Sequence, residues 1–461
     1  MNLERFIVAL GPGEVVDGAP GGAAPVEIHG LAYDSRSAAP GTLFFCVRGR
    51  GSDGHDFAPA AKQAGAAALV VEHPVPVDLP QLVVADSRAA MPVAANLFYG
   101  EPSAALEVAG ITGTNGKTTT AFLLHSILEA SGRGVGLLTN IERRVGGERR
   151  ATGLNTPEAI DLQRLLREML DRGDEACVLE ATSEAQAQGR LEGTRFAVLV
   201  FTNLTQDHLN FHGTMDAYFA AKAALFAQAD RAVVNVAGEW GQRLAASLPD
   251  AVTFDRTTTV LDGIDLKLRG AFNRENAIGA VLAAQALGVG QDAIRAGIEA
   301  VQGVPGRFES IDAGQPFTVI VDYAHTPDSL ENVIRTARGL GDGRLTVVFG
   351  AGGDRDRGKR PEMGRVVSAL SDRSILTSDN PRSEDPEAIA AEVASGATGS
   401  FEQELDRRAA IELALAEAGP GEIVVIAGRG AEPEQELAAG KVPFDDREVA
   451  RETLRRVTTR P

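Results

Sequence analysis

Residues suited to phosphate chemistry lie side by side in the segment GTNGKTTT, at positions 113–120. Gly113 and Gly116 precede Lys117 and Thr118, and the apolar run LEVAGITG leads into them. A buried strand that passes through a glycine turn into a helix directs backbone amides and the helix N-terminus towards one point, where phosphate can bind. There Lys117 would face phosphate oxygens, and the Thr118 hydroxyl would face Mg²⁺. The segment therefore predicts a nucleotide-binding loop.

This loop is a variant of the Walker A pattern, because Ile111 stands where the strict spacing has its first glycine. A glycine-rich turn that holds no nucleotide is the alternative, and the Lys-Thr pair at the helix start favours the nucleotide. The residues predicted to bind it here are Gly113, Thr114, Asn115, Gly116, Lys117, Thr118 and Thr119.

Side chains that could hold a divalent cation follow two other apolar runs. Glu180 ends the run CVLE, and Asp207 and His208 come after FAVLVFTN. In a parallel sheet these positions share the carboxyl edge with the phosphate loop, where carboxylates and an imidazole suit Mg²⁺. Taken singly, each is as well explained as a solvated or capping residue. The shared edge is what favours a metal site.

Lys222 has an unusual setting for a cation, in the segment DAYFAAKAALF. Alanines flank it, Phe219 and Phe226 lie nearby, and no carboxylate stands four residues away on either side. A lysine that extends its ammonium group to solvent from a half-buried helix is the alternative.

The elements that must position these residues alternate between apolar runs and helical patterns. Runs such as AALVVE, FTVIVDYA, LTVVFGAGG and EIVVIAG are typical of buried parallel strands in an α/β chain. The spacing predicts helices over 118–131 and 215–229. Gly and Pro interrupt the pattern near 99–107 and 301–307, which indicates three domains. The expected domains are 1–103, 104–304 and 305–461.

The composition of the 461 residues argues against several functional classes. A formal net charge of −18 without a basic cluster argues against binding to nucleic acid or to an anionic membrane. Cys46 and Cys177 cannot build a disulfide framework, and no stretch approaches 18 uninterrupted apolar residues. The start MNLERFIVAL lacks the basic region of a secretory signal. We expect a soluble, cytoplasmic protein without membrane insertion.

The motifs as a set resemble those of the Mur ligase family. GTNGKTTT, LEATS, FTNLTQDHLNFHG, YFAAK, GAFNRENA, PGRFE, VDYAHTP, GAGGDRDRGKRPEMG and SDNPRSE occur in that family's order, over nearly the whole chain. Within the family, the likeness is nearest to the ligases that add meso-diaminopimelate to UDP-N-acetylmuramoyl-L-alanyl-D-glutamate. The segments DSRSAAPGTLFFCVRG at 34–49 and VPFDDREVARETL point the same way.

The resemblance implies an enzyme of peptidoglycan synthesis that uses ATP and Mg²⁺ to join a carboxylate to an amine through an acyl phosphate. It implies a smaller N-terminal α/β domain for the UDP substrate, a central P-loop ATPase-like parallel sheet and a C-terminal Rossmann-like domain, in a monomer. Lys117, His208 and Lys222 would be catalytic, with Lys222 carbamylated and thereby converted from a cation into an anion that binds Mg²⁺. The implied metal ligands are Thr118, Glu180, His208 and Lys222.

The resemblance also assigns residues to the substrates. Ser35 and Arg36 would face the uridine end. The residues implied for adenosine and for closing the third domain are Asn273, Asn276, Arg307, Asp322 and His325. Those implied for the muramoyl-peptide are Asn155, Thr156, Thr182, Gln188 and Arg190. Those implied for the amino acid are Arg355, Asp379, Asn380, Pro381, Arg382, Gly428 and Glu432.

Arg382, in the segment DNPR, resembles a clamp for the distal carboxylate of diaminopimelate. A planar guanidinium binds a carboxylate through two parallel hydrogen bonds, and a lysine substrate would leave it unpaired. Without the family context, Asn-Pro is an ordinary turn signal. The meso and L,L isomers both present a distal carboxylate, so the residues leave that choice open.

Three departures from the family pattern keep other functions in view. The usual Ser-Ser-His reads TSE at 182–184, the usual Gly-Lys-Gly-His-Glu reads GRGAE at 428–432, and Pro433 follows. One alternative is a folylpolyglutamate synthetase-like ligase, against which the DSR and DNPR segments argue. The other is a non-catalytic homologue that binds nucleotide or precursor and regulates cell-wall synthesis. The retained phosphate and metal residues argue against it.

Overall fold

The structure is a computed structural model that describes residues 1–16, 25–49, 51–399 and 401–458. The chain divides into two compact units. The first unit comprises Met1–Gly110, Arg133–Leu199 and Ala221–Arg231. The second comprises Ile111–Gly132, Val200–Ala220 and Ala232–Pro461. Within the described ranges, no helix is both long and apolar enough to cross a membrane.

Helices occur in both units. The α-helices are α1 (Leu3–Leu10), α2 (Ala58–Gln63), α3 (Ser87–Tyr99), α4 (Lys117–Ala130), α5 (Ala159–Asp171), α6 (Ser183–Ala187), α7 (Leu209–His212), α8 (Met215–Ala224), α9 (Glu239–Ala246), α10 (Ala271–Ala286), α11 (Gln291–Ala300), α12 (Pro327–Arg338), α13 (Arg360–Leu370), α14 (Pro386–Ala394), α15 (Arg407–Ala416) and α16 (Asp446–Thr458). Short 3₁₀ turns span Ser35–Ser37, Gly54–Phe57, Pro102–Ala104, Leu225–Gln228 and Arg357–Lys359.

Strands are short and mostly apolar. They are β1 (Glu14–Val16), β2 (Gly30–Ala32), β3 (Thr42–Phe45), β4 (Ala66–Val71), β5 (Gln81–Val83), β6 (Glu107–Thr112), β7 (Val135–Leu138), β8 (Arg143–Val145), β9 (Glu148–Arg150), β10 (Ala176–Glu180), β11 (Val198–Phe201), β12 (Ala232–Asn235), β13 (Val252–Phe254), β14 (Glu309–Ser310), β15 (Thr318–Asp322), β16 (Leu345–Phe349), β17 (Arg373–Leu376), β18 (Glu402–Gln403), β19 (Ile423–Ala427), β20 (Glu434–Leu437) and β21 (Gly440–Pro443).

The first unit contains a five-stranded sheet in the order β1-β5-β4-β3-β2, in which only the β1–β5 pair is antiparallel. β3 shows why Leu43, Phe44 and Phe45 are apolar in succession. Leu43 and Phe45 pack in one cluster with α1 and α3, while Phe44 packs in another cluster with α2. Because successive side chains point to opposite faces, a strand covered on both faces buries consecutive side chains.

Strands β6 and β11 belong partly to each unit, because the division between the units passes through both of them. Within the first unit the order is β11-β6-β10-β7-β8-β9, with β10 parallel to β7 and with β7, β8 and β9 antiparallel. Within the second unit the order is β13-β12-β11-β6, with β12 parallel to β13.

The second unit also contains a six-stranded sheet in the order β14-β15-β19-β16-β17-β18, antiparallel only between β14 and β15. In β19, Ile423 and Val425 pack in one apolar cluster, and Val424 and Ile426 pack in another. Both faces are therefore covered. The loops that follow the parallel strands leave from one carboxyl edge, which is where open α/β sheets bind ligands.

The predicted α/β class and its parallel strands are confirmed. The apolar runs named above form β4, β6, β10, β11, β15, β16 and β19, and the helix predicted over 118–131 is α4. The helix predicted over 215–229 ends earlier, at Ala224, and a 3₁₀ turn follows. That turn buries Leu225 and Phe226, and such tightening is frequent at helix ends. The three domain boundaries stay a prediction.

Arg407 and Asp446 join α15 to α16 through a fully buried ion pair. The distance from Arg407 Nη2 to Asp446 Oδ2 is 2.6 Å, and both side chains are 0% exposed. Arg407 Nη2 also donates to the Ala427 carbonyl at 2.9 Å. Burial lowers the pKa of Arg407, but the Asp446 carboxylate outweighs burial and holds that pKa above its ordinary value. The pair fixes α16 against the end of β19.

Removal of the Asp446 charge should destabilise the protein strongly. We expect Asp446→Asn to lower the free energy of unfolding by about 3–5 kcal/mol, because a buried guanidinium loses its counter-charge. The control is Glu452→Gln, since Glu452 pairs with Arg408 across the same two helices at 3.0 Å but with both side chains about half exposed. We expect it to cost less than about 1 kcal/mol in chemical denaturation. Equal losses would contradict the prediction.

Candidate active site

The phosphate loop between β6 and α4 has the geometry that its glycines predict. Gly113 and Gly116 have φ of +146° and +86°. A Cβ on Gly113 would overlap Thr202 Oγ1, and a Cβ on Gly116 would overlap Asn276 Oδ1. Only glycine meets both the conformational and the steric requirement at these two positions.

Two residues at the end of β11 hold the middle of this loop. Asn203 Oδ1 accepts a hydrogen bond from the Asn115 amide at 2.9 Å, and Asn203 Nδ2 donates to the Asn115 carbonyl at 3.2 Å. Thr202 Oγ1 donates to the same carbonyl at 2.6 Å. Sequence reasoning gave Thr202 and Asn203 no role. Their place after β11 in FTNLTQDH was the available signal.

Lys117 lies over the loop that precedes it. Its Nζ donates to the carbonyl oxygens of Gly113 at 3.0 Å and of Thr114 at 2.7 Å. The ammonium group is thus held at the N-terminus of α4, where the helix carries partial positive charge. Thr118 and Thr119 are buried in the first turn of that helix. The arrangement suits an anion such as phosphate.

Arg307 connects this loop to the segment before β14. Its Nη2 donates to Thr118 Oγ1 at 2.8 Å. Its guanidinium carbon lies 4.3 Å from the ring centroid of Tyr323, within the range of a cation–π contact. Arg307 was predicted to serve the nucleotide, and the structure brings it to the phosphate loop.

Asp322 is buried behind Arg307 at the end of β15. Its Oδ2 accepts from the Phe308 amide at 2.6 Å, and its Oδ1 accepts from the Ala324 amide at 2.7 Å. Burial raises the pKa of Asp322, and the nearby Arg307 opposes that rise only in part. The Asp322 carboxylate therefore holds the backbone at Phe308 and Ala324 in place through these two hydrogen bonds.

Asn273 and Asn276, predicted for adenosine, lie on α10 behind the phosphate loop. Asn276 Nδ2 donates to Asn273 Oδ1 at 3.2 Å, and Asn273 Nδ2 donates to the Arg269 carbonyl at 2.8 Å. Both side chains are buried. Asn276 lies against Gly116 of the phosphate loop, and contact of either residue with adenosine stays a prediction.

Three basic side chains lie close to the carboxylate of Asp207. Lys359 Nζ donates to Asp207 Oδ1 at 3.0 Å, and Asp207 Oδ2 lies 3.4 Å from His208 Nε2 and 3.7 Å from His325 Nε2. Burial alone would raise the pKa of Asp207, but Lys359, His325 and His208 together hold it well below its ordinary value. Sequence reasoning gave Lys359 no role, although it lies in the segment DRDRGKR.

Four residues predicted for the muramoyl-peptide lie together in the first unit. Thr156 Oγ1 donates to the Glu180 carbonyl at 2.6 Å and lies 2.9 Å from Thr182 Oγ1. Arg190 Nη1 donates to the Thr156 carbonyl at 3.2 Å, and Arg190 Nη2 donates to Gln188 Oε1 at 2.5 Å. The cluster places polar groups at the end of β10, as its predicted role requires.

The predicted metal ligands are divided between the units, with Glu180 and Lys222 in the first and Thr118 and His208 in the second. Glu180 and Lys222 are each 1% exposed. The described part of the chain holds no group of three or more His, Cys, Asp or Glu side chains placed to bind a metal ion. The donor chemistry nevertheless fits Mg²⁺, which prefers a few protein oxygens together with phosphate.

Residues predicted for the amino acid come from loops at the carboxyl edge of the six-stranded sheet. Asp379 follows β17, and its Oδ1 accepts from the Asn380 amide at 2.7 Å. Its Oδ2 is buried and has no hydrogen-bond partner among the residues that the structure describes. It faces Gly428, which follows β19 with φ of +123° and has no room for a Cβ. The edge thus presents an unsatisfied carboxylate oxygen.

Arg382 already holds a carboxylate in this structure. Its Nε donates to Glu436 Oε2 at 2.8 Å, and its Nη1 donates to the Gly353 carbonyl at 2.7 Å. The Glu436 side chain is 43% exposed, whereas that of Arg382 is 18% exposed. A half-exposed carboxylate on a half-buried guanidinium can give way to the carboxylate of a ligand. This supports the predicted chemistry of Arg382.

Glu432 is bound at both of its oxygens. Tyr323 Oη donates to Oε1 at 3.1 Å, and Asn380 Nδ2 donates to Oε2 at 2.9 Å. Asn380 Oδ1 in turn accepts from Nη1 of the fully buried Arg429 at 2.8 Å. Sequence reasoning assigned no function to Tyr323 or Arg429, since their partners are distant in the chain.

Other predicted ligand residues lie at the surface. Ser35 is partly exposed, and the neighbouring Arg36 side chain is 88% exposed and pairs with Asp34 at 2.5 Å. Asn155 and Arg355 are exposed. Their roles towards uridine, muramoyl-peptide and amino acid stay predictions.

Family models match three stretches of the chain. The Mur ligase family catalytic domain matches residues 27–99, the Mur ligase middle domain matches 111–260, and the Mur ligase glutamate ligase domain matches 306–430.

Individual proteins are similar over nearly the full length. A Geobacter metallireducens protein named UDP-N-acetylmuramoyl-L-alanyl-D-glutamate–2,6-diaminopimelate ligase is 42% identical, covering 100% of this chain and 99% of its own. A solved structure with that ligase name matches with a TM-score of 0.64 and 30% identity, covering 99% of both chains. A MurF ligase from Thermotoga maritima in complex with ADP matches with a TM-score of 0.65 at 18% identity, over 94% of this chain and 98% of its own. The last match shows the fold alone.

Gly116→Ala should abolish the phosphate loop without unfolding α4. We expect affinity for ATP to fall at least about tenfold, for two reasons. The new methyl group would overlap Asn276, and the alanine would have to adopt a positive φ. Gly132→Ala is the matched control, since Gly132 has φ of +88° at the other end of α4 but open space around it. Titration calorimetry should find the affinity of the control unchanged. Equal losses would show that backbone strain alone is responsible.

Proposed function

Because this chain belongs to the Mur ligase family, we propose that it is an ATP-dependent ligase of peptidoglycan synthesis that adds 2,6-diaminopimelate to UDP-N-acetylmuramoyl-L-alanyl-D-glutamate. The observation that carries the substrate assignment is Arg382, whose guanidinium holds an exchangeable carboxylate at the sheet edge. The name of a relative that is 42% identical over the whole chain supports it. We further propose the meso isomer, a monomer, and action in the cytoplasm.

The first proposed step forms an acyl phosphate. An oxygen of the D-glutamyl γ-carboxylate attacks the γ-phosphorus of ATP, the bond from that phosphorus to the β,γ-bridging oxygen breaks, and ADP leaves. The Lys117 ammonium and the N-terminus of α4 offset the negative charge on the transferred group. Lys117 would exchange its loop carbonyl partners for phosphate oxygens.

The second proposed step forms the amide. The amine nitrogen of diaminopimelate attacks the acyl carbon and loses a proton, and the bond from carbon to the phosphate oxygen breaks, so inorganic phosphate leaves. Arg382 would hold the distal carboxylate, while Asn380 and Glu432 orient the remaining polar groups. The muramoyl-peptide would be held by polar groups of Thr156, Thr182, Gln188 and Arg190.

Mg²⁺ would be held by Thr118, Glu180, His208 and a carbamylated Lys222, together with phosphate oxygens. When bound, it supplies positive charge next to the transferred phosphoryl group. The burial of Lys222, at 1% exposure, supports a carbamate, since a carbamate can share its negative charge with a cation. Asn273, Asn276, Asp322 and His325 would complete the nucleotide site.

We propose that the chain works as three domains, 1–103 for the UDP substrate, 104–304 for ATP and 305–461 for the amino acid. The family models, which match 27–99, 111–260 and 306–430, support these boundaries. Closure about the segment 304–306 would exclude water from the acyl phosphate, which otherwise hydrolyses.

Two other functions have less support. The DSR segment at 34–36 and the DNPR segment at 379–382 argue against a folylpolyglutamate synthetase-like ligase. A non-catalytic regulator would have no use for a buried Glu180, a buried Lys222 or a complete phosphate loop.

The substrate assignment predicts a strict dependence of ATP turnover on the amino acid. We expect phosphate release with UDP-N-acetylmuramoyl-L-alanyl-D-glutamate and meso-diaminopimelate, and at least about a hundredfold lower kcat/KM with L-lysine, which leaves Arg382 unpaired. L,L-diaminopimelate and a reaction without amino acid complete the panel. Equal turnover with lysine would contradict the proposed role of Arg382 as a carboxylate clamp. Turnover only with a pterin-glutamate would support the folylpolyglutamate synthetase-like function.

Carbamylation predicts chemical rescue of a Lys222 variant. We expect Lys222→Ala to lose about a hundredfold or more of kcat and to recover about tenfold with millimolar formate or acetate, which restore an anion. Lys62→Ala, which removes an exposed lysine of the first unit, should keep full activity and show no response. Carbon-13 NMR with labelled bicarbonate should detect the carbamate in the parent protein and in Lys62→Ala, but not in Lys222→Ala. Full activity of Lys222→Ala would exclude Lys222 from the mechanism.

A further inference from the structure

We propose that Tyr323 is a positioning residue for the amino-acid substrate. Its hydroxyl fixes the carboxylate of Glu432, and its ring connects that carboxylate to Arg307 and the phosphate loop. The inference rests on the proposed function, because Glu432 contacts an amino acid only in that function.

The connection is continuous within the second unit. Thr118 Oγ1 accepts from Arg307 Nη2 at 2.8 Å, the Arg307 guanidinium lies 4.3 Å from the Tyr323 ring centroid, and Tyr323 Oη donates to Glu432 Oε1 at 3.1 Å. Tyr323 therefore contacts both Arg307, which binds the phosphate loop, and Glu432, which is predicted to bind the amino acid. Its ring serves one side and its hydroxyl serves the other.

The bonds to Glu432 determine how it can bind a ligand. A carboxylate has about four acceptor positions, and Tyr323 and Asn380 occupy one on each oxygen. Two donors from different loops fix the plane of the carboxylate, which otherwise rotates freely about its last side-chain bond. The remaining acceptor positions suit the ammonium group of an amino acid, which has three donors.

The neighbours of Glu432 in the chain cannot supply this orientation. Ala431 has no polar side chain, and Pro433 has no amide hydrogen. The Glu432 amide itself donates to the Arg429 carbonyl at 3.0 Å. Orientation of the carboxylate therefore comes from Tyr323 and Asn380, which lie 109 and 52 residues away in the chain.

The Tyr323 hydroxyl stays a donor over the working pH range. The charge of Glu432, followed by burial, raises the pKa of Tyr323 far above its ordinary value. The phenol therefore stays neutral and can donate its hydroxyl proton to Glu432.

The test separates the hydroxyl from the ring. Tyr323→Phe keeps the ring on Arg307 and loses only the bond to Glu432, so KM for meso-diaminopimelate should rise about tenfold or more, with KM for ATP within about twofold of the parent value. Tyr323→Leu also removes the contact with Arg307, so KM for ATP should rise about threefold or more as well. An unchanged KM for diaminopimelate in Tyr323→Phe overturns the proposal. An unchanged KM for ATP in Tyr323→Leu overturns the connection to the phosphate loop.

Tyr33→Phe is the matched control, because Tyr33 Oη donates to Asp161 Oδ2 at 2.7 Å in the first unit and its loss removes the same kind of bond. KM for diaminopimelate should not change in this variant, and the melting temperatures of the two Phe variants show whether their folding is comparable. An equal rise in KM in both variants would mean a general loss of stability and would overturn the proposal. Absence of turnover by the parent protein with diaminopimelate would instead contradict the proposed function.

Discussion

The buried carboxylate of Asp322 is the constraint on which the second unit's site depends. Its side chain accepts hydrogen bonds from the amides of Phe308 and Ala324, and its own carbonyl accepts from the Gly428 amide at 3.0 Å. The segments that contain Phe308 and Gly428 are thus both bound to Asp322. A buried carboxylate without donors is costly, so the segment of Phe308 cannot leave without removing a donor from this carboxylate. The positions of Arg307 and Tyr323, which lie next to two of the bonded amides, follow from this arrangement.

Buried guanidinium groups stabilise the irregular loops around the sheet edge. Arg360, which is 0% exposed, binds Glu384 at 2.8 Å and Glu392 at 2.8 Å, and it holds the pKa of Glu384 at about 2. Arg407 donates to the Asp446 carboxylate, and Arg429 donates to main-chain carbonyl oxygens. A planar group with five donors can satisfy several loops at once, which a lysine cannot do. The excess of carboxylates in the sequence supplies these partners.

Backbone strain is concentrated in the same loops. His208, Phe308, Asp354 and Arg382 have φ between +47° and +56°, although none is glycine. Such conformations cost roughly 1–2 kcal/mol each, so they persist only where other bonds hold them. Arg382 shows how this is done, since its side chain donates to Glu436 and its amide donates to the Glu436 carbonyl at 3.1 Å.

The sequence by itself determined the α/β class, the parallel strands and the phosphate loop. These depend on local patterns, because apolar runs, glycine positions and the start of α4 are set by neighbouring residues. The resemblance to the family also singled out Arg382, whose role as a carboxylate clamp stays a prediction. Only the tertiary structure decided that Lys359 neutralises Asp207, 152 positions away, and that Tyr323 orients Glu432. No periodicity predicts such pairs, because the loops that carry them are distant in the chain and meet only in the folded protein.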